Sequence, residues 1–276
     1  MLARAALTVV AVLAVSLLLQ LVLVSGLQGR AKQQRAFDRY RGALAEGVAP
    51  IGPTNDGREL APGTGLAFLE IPSIGLRQVV GEGTRGVDLM CGPGHRRDTP
   101  LPGQVGTSVI LGRQSTFGAP FSRIDELDEG AKIKVTTGQG AFDFLVTGRR
   151  LGGDPSPPPL KPGGGRLLLV TSSGSRFMPS GVLRVDADLM TPAVPAAPRV
   201  VTAKALPASE QIMGTDPTTL WALALWLQAL ILLAVGAIWS WFRWGPAQAW
   251  VVFLPPVALV GLFAAGEVAH LLPNLV

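Results

Sequence analysis

The chain has 276 residues, 48% of them hydrophobic, with 24 Lys and Arg against 19 Asp and Glu, two His and one Cys. A single cysteine excludes an intrachain disulfide, and one Cys with two remote histidines, His95 and His270, cannot form a zinc site, so no metal or other cofactor is expected. The charge of +5 does not indicate nucleic-acid binding, because the basic stretch RAKQQRAFDRYR (30–41) lacks interleaved aromatics and abuts an apolar segment. A membrane surface or helical stalk fits it better.

In chain order, ALTVVAVLAVSLLLQLVLVSGL (6–27) comes first. A spanning helix needs roughly 20 apolar residues, and this run is longer than the h-region of a cleaved signal peptide. It is expected to be an uncleaved anchor, occupying 1–27. Residues 28–46 read as a helical stalk and 47–65 as a Gly/Pro-rich linker. Short β-rich segments follow at 66–71, 76–80, 107–112, 131–137, 141–148, 166–172 and 182–189, giving one β-domain over 66–190 that suits a barrel or sandwich. Residues 191–217 form a second, Pro/Ala-rich linker. The stretch 218–272 holds two further membrane helices, 220–242 and 249–272. Pro255, Pro256 and Glu267 interrupt the second. Trp239, Trp241, Trp244 and Trp250 surround the 243–248 turn, where an aromatic belt would lie.

The segment LLLVTSSGS (167–175) ends an apolar run in hydroxyls and a glycine. It is either a strand end presenting a nucleophile, Ser172 or Ser173, or simply the polar end of a strand. A Ser–His–Asp triad would have to use His95, from GPGHRRDTPLPG, since His270 lies in the third apolar segment. GPGH and PGGGR are not phosphate loops, because no Gly-Lys-Ser/Thr follows. The loop GGDPSPPPLKPGGG (152–165) is either functional or a plain surface loop. Cys91 reads as a bystander. Composition and spacing stop here, at a membrane-tethered β-domain with no evident catalytic set.

The order of the pieces adds more. LEIPSIGL (69–76), GPGHRRDTPLPGQVGTSVILGRQSTFGAPFSRIDEL (92–127) and RLLLVTSS (166–173) follow the anchor and stalk. Together they resemble the sortase family, in particular its actinobacterial class E type. The resemblance covers about residues 60–190. It implies an eight-stranded β-barrel outside the cytoplasm of a bacterial cell, which the apolar segments read above flank with one N-terminal and two C-terminal transmembrane helices; the C-terminal pair is not needed for sortase chemistry. It also implies a cysteine transpeptidase that cuts a sorting motif in a surface protein and joins it to an amine of the cell envelope.

The family's active site is a His, a Cys and an Arg. In VILGRQSTFGAPF (109–121), Arg113 stands where the resemblance puts the His. In LLVTS (168–172), Ser172 stands where it puts the Cys. Arg184, in VLRVDADL (182–189), matches the Arg. A thiol has a pKa near 8.5 and forms thiolate at neutral pH, whereas a hydroxyl needs an adjacent base. A guanidinium is not such a base, which leaves His95 as the possible substitute.

Three functions follow as expectations. The first is a non-catalytic sortase-like protein that binds an envelope or membrane partner. The second is an active transpeptidase or hydrolase using Ser172 on a surface-protein sorting peptide. The third is a membrane-complex subunit in which the barrel is a spacer. The positive residues at 28–41 taken alone favour a cytoplasmic β-domain. The resemblance implies an extracytoplasmic one, and long domains translocate largely regardless of charge.

Overall fold

The computed structural model of the chain describes residues 11, 13–16, 18–55, 58–175, 177–198, 201–215 and 220–276. They fall into two compact units, one of residues up to Gly26 with Asp216–Leu272, the other of Leu27–Thr215 with Pro273–Val276.

The second unit is a β-barrel. After helix α1 (Ser25–Ala45) and a two-residue ribbon of β1 (Thr54–Asn55) and β2 (Arg58–Glu59) come β3 (Gly65–Ile71) and β4 (Leu76–Glu82). A single-turn helix α2 (Gly86–Leu89) precedes β5 (Gly94–His95). Then follow β6 (Gly106–Leu111), β7 (Lys132–Thr137), β8 (Gly140–Arg150), β9 (Gly165–Ser175) and β10 (Met178–Leu189). Eight of these strands close in the order β10-β8-β7-β3-β4-β5-β6-β9, as the resemblance implies. Pairing is antiparallel except between β4 and β5 and between β6 and β9.

Side-chain period decides which residues fill the barrel. In β7, KIKVTT, Ile133 and Val135 point inward while Lys132 and Lys134 are exposed, the alternation of a strand with one wet face. Leu69 and Ile71 of β3, Phe142 and Phe144 of β8, and Leu167 and Leu169 of β9 join them in one core. Strands β6 and β9 differ. Ser108–Leu111 are all buried, and in β9 Val170 packs outside the barrel with Leu111 and Val109 while Leu169 packs inside. A strand buried on both faces reads as a continuous apolar run, which is why LLLV shows no alternation.

Three stretches differ from the sequence reading. β5 is a two-residue strand, too short to give a periodic signal. The strands expected at 166–172 and 182–189 are longer and nearly meet, since β9 runs to Ser175 and β10 starts at Met178. Helix α1 lies along the barrel: the Tyr40 hydroxyl lies 2.7 Å from the Leu66 carbonyl oxygen, to which it donates, and 3.2 Å from that of Thr136, and Phe37 packs on Phe68 at 5.2 Å between centroids.

The other unit contains α3 (Leu220–Trp244) and α4 (Pro246–Leu271), each long and apolar enough to cross a membrane. Helix α4 continues through Pro255 and Pro256. Residues 11, 13–16 and 18–19 are helical, and the rest of the first apolar run before Leu18 lies outside the described residues. This helix packs on α4 through small side chains: a Cβ on Gly261 would stand 3.1 Å from Leu13 and 3.3 Å from the Ser16 hydroxyl. Ala264, Ala265 and Ala269 are buried, as are Ser16 and Gln20. Small residues allow the close approach that holds helices together in lipid.

Candidate functional site

The site lies on the outer face of β6 and β9 and is built by the chain that follows each strand. Gly112 continues β6. A side chain there would collide with Phe121, whose ring lies 2.5 Å from the Cβ position, so only glycine lets the chain leave the strand at this point. Its carbonyl is held by the Thr171 hydroxyl (2.8 Å), and its N–H donates to Val170 (3.0 Å). These bonds fix Arg113 next to the end of β9. The following loop holds Phe117 and Ala119 at positive φ, 52° and 45°, a conformation costing about 1–3 kcal/mol for each such residue. The Phe117 ring lies 5.1 Å from the Arg113 guanidinium.

Arg113 is fully buried. Its Nη1 donates to Thr116 Oγ1 (3.0 Å) and to the Val276 carbonyl (2.9 Å), and its Nη2 donates to the Gly86 carbonyl (3.0 Å). Among the described residues its Nε has no hydrogen-bond partner. Among the described residues no Asp or Glu side chain pairs with it. Burial therefore pushes its pKa down to about 10. It still carries a full charge at neutral pH.

Ser172 is also fully buried. Its hydroxyl lies 2.9 Å from Gln114 Oε1 and 3.0 Å from the Leu275 carbonyl oxygen. One hydroxyl proton can serve only one of these acceptors, and neither an amide nor a peptide carbonyl removes a proton at neutral pH. The structure thus brings Arg113 and Ser172 to adjacent residues of one segment, Leu275 and Val276. Arg184 stands on the same outer face, opposite Val170, while Ser172 stands opposite Val182. It is half-buried, and among the described residues its side chain makes no hydrogen bond or ion pair.

His95 lies elsewhere. It is buried in β5, with Nδ1 3.1 Å from Glu82 Oε2 and Nε2 3.0 Å from the Pro100 carbonyl. Burial acts against the imidazolium, but the charge and hydrogen bond of Glu82, the Pro100 carbonyl and the charge of Asp98 outweigh it and raise the pKa. A raised pKa and two engaged nitrogens suit a structural ion pair. They leave the ring without a contact to Ser172, so the expectation that His95 stands in as its base gains no geometry.

The sequence reading missed the residues that complete the site. Thr84, Gln114, Thr116 and Asn274–Val276 carry most of its hydrogen bonds. A signal did exist: two strands apolar on both faces need a cover, and LPNLV after the last apolar helix is a short apolar segment with one polar side chain. The loop 152–165 lies over a separate cavity of about 880 Å³ on the outer face of β8, β9 and β10. There Arg150 pairs with Asp186 and Arg166 with Asp188, both at 2.6 Å.

Comparison with known proteins agrees with the barrel. The sortase-domain family model matches residues 69–158, a stretch that contains His95 and Arg113 and ends before Ser172 and Arg184. Sortase D of Bacillus subtilis strain 168 is 34% identical over 87 residues, 31% of this chain and 42% of that protein. The match thus spans less than half the length of the curated relative. Among solved structures, a sortase D5 transpeptidase of Clostridium perfringens is 22% identical with a TM-score of 0.48, covering 58% of this chain and 99% of that one. The SrtF sortase of Corynebacterium diphtheriae is 22% identical with a TM-score of 0.43, covering 56% and 97%. Sortase C of Clostridium perfringens with the C-terminal cell wall sorting motif is 19% identical with a TM-score of 0.44, covering 58% and 89%. The family-model match and the relative support the sortase family; the structural likenesses transfer no chemistry at these scores.

Proposed function

We propose that the chain is a membrane-anchored, class E-like sortase-type protein of the bacterial cell envelope, as found in actinobacteria, which binds an envelope or membrane partner and does not catalyse transpeptidation. One observation carries the reading. The hydroxyl of Ser172, at the position that the resemblance gives the nucleophile, touches only an amide oxygen and a peptide carbonyl, and its charged neighbour is a guanidinium. Nucleophilic catalysis by serine requires a base within reach, and among the described residues no histidine or carboxylate touches it. Arg113, Ser172 and Arg184 are then the substituted and retained members of the family's His, Cys and Arg.

The apolar helices α3 and α4 support membrane attachment, and the family relation supports a barrel outside the cytoplasm. Two crossings return a chain to the side it left, which agrees with residues 273–276 belonging to the barrel unit. In this reading 1–27 is the N-terminal anchor, 28–46 and 47–65 lead into the barrel at 66–190, and 191–217 leads to the helices at 218–272.

The test is to incubate the full chain in detergent with a surface-protein sorting peptide and an amine acceptor, and to read the products by mass spectrometry. The chain is expected to leave the peptide intact, while an Arg113→His, Ser172→Cys double variant gains cleavage. An acyl adduct on Ser172 of the natural chain would instead establish the serine transpeptidase.

A further inference from the structure

Helix α1 is fastened to the barrel at three points. A side chain at Gly29 would collide with the Phe117 carbonyl, so the start of the helix touches the loop after β6. Gln33 clamps it to β4: its Oε1 accepts from the Val79 N–H (3.0 Å), and its Nε2 donates to the carbonyls of Val79 (3.0 Å) and Cys91 (2.6 Å). Tyr40 holds the far end. Beside these contacts lies a cavity of about 430 Å³, lined by Arg30 and Phe37 of α1, by Phe68 of β3 and by Arg77 and Gln78 of β4. That volume lies within the range of small-ligand sites, and walls fastened in this way are formed before a ligand arrives.

The cavity is cationic. Arg77 pairs with Glu70 at 3.1 Å, but among the described residues Arg30 makes no ion pair and Lys32, beside it on α1, meets no carboxylate. The rings of Phe37 and Phe68 form one wall, with the Arg77 guanidinium 5.7 Å from the Phe68 centroid. Guanidinium forks beside an apolar wall suit a phosphate ester. Height along the helix points to its source. Helix α1 begins at Ser25, inside the apolar run that ends at Leu27. At 1.5 Å per residue, Arg30 stands about 4.5 Å past that run, and a headgroup layer is roughly 5–8 Å deep. A run 6–27 that spans the bilayer therefore puts Arg30 at the height of the lipid phosphates.

We infer that this cavity binds the phosphodiester headgroup of an anionic membrane lipid. Arg30 and Arg77 hold the phosphate, and Phe37 and Phe68 pack against the glyceryl part. The inference rests on the membrane-anchored reading above and is independent of whether Ser172 reacts.

The experiment uses the full chain in dodecyl maltoside micelles and counts bound lipid by native mass spectrometry. The probes are phosphatidylglycerol, phosphatidylcholine with the same acyl chains, and water-soluble glycerophosphoglycerol. Phosphatidylglycerol is expected to bind saturably and roughly tenfold more tightly than phosphatidylcholine, whose choline meets the same cations. Arg30→Gln is expected to weaken phosphatidylglycerol binding about tenfold, the loss of a charged hydrogen bond. Arg35→Gln removes the same charge from an exposed position of α1 outside the cavity, and is expected to leave binding within about twofold. Glycerophosphoglycerol is expected to compete only in large excess. Equal binding of the two lipids overturns the inference, and so do equal losses in the two variants, which mean attraction to a basic surface. Glycerophosphoglycerol that binds as tightly as the lipid also overturns it and makes the ligand a free phosphodiester. Alkaline extraction of cell membranes separates the two readings. A chain released into the supernatant sinks the membrane-anchored reading and the inference with it. A chain that stays with the membranes and shows no lipid preference sinks the headgroup site alone.

Discussion

Two outer faces of one barrel solve the same problem in opposite ways. Beneath the 152–165 loop, Arg150 and Arg166 sit beside an open cavity, each with its own carboxylate at 2.6 Å. On β6 and β9, Arg113 is fully buried, and among the described residues its side chain meets the Thr116 hydroxyl, the Gly86 and Val276 carbonyl oxygens and the Phe117 ring, with no Asp or Glu side chain. The first face is electrically closed and sterically open, and the second is the reverse. A cation kept dry without a counter-charge is a feature that stability alone does not favour, so the second face is where function is to be sought.

The largest expected effect breaks the balanced face. Asp186→Ala strands the Arg150 guanidinium and is expected to cost about 3 kcal/mol, read by denaturant titration with hydrogen exchange of the β9 and β10 amides. Its counterpart on the other face is smaller. Arg113→Met strands no opposite charge and fills most of the vacated volume, so its cost is expected to stay within about 1 kcal/mol in the same titration. An equal loss in both variants would erase the contrast.

A pH series places a third cation between these extremes. His95 is buried like Arg113 but paired like Arg150, and its pKa is raised in the fold. Its stabilising contribution is complete below the unfolded value of about 6.5 and disappears as pH rises through the raised one. The barrel is therefore expected to resist denaturant better near pH 6 than near pH 9, and His95→Gln is expected to flatten that slope. The smallest effect belongs to Ser172→Ala, which removes one hydroxyl from a neutral contact and is expected to cost about 1 kcal/mol or less.

How far this was legible in the sequence differs between the same two faces. The barrel could be read from alternation in KIKVTT and AFDFLVTG and from the order of motifs. Arg113 and Ser172 could be found because each stands in a recognisable block. Of the cover, only a short apolar segment could be read, not what it covers. Its residues lie more than 90 positions from Ser172 in sequence, and no local pattern announces a contact of that range. The two-residue strand at Gly94–His95 was invisible for another reason, being shorter than one repeat of the β pattern. His95 looked available because two histidines were all the sequence offered. Its partner Glu82 meets it through the parallel pairing of β4 with β5, a juxtaposition set by topology.

The aromatic residues also divide the chain. All six tryptophans, Trp221 to Trp250, lie in α3 and α4, and the single tyrosine, Tyr40, is bonded to the barrel strands. Light absorbed at the red edge of the aromatic band therefore reports on the apolar helices alone. Tyrosine emission reports on the barrel, so melting of either unit can be followed optically without cutting the chain.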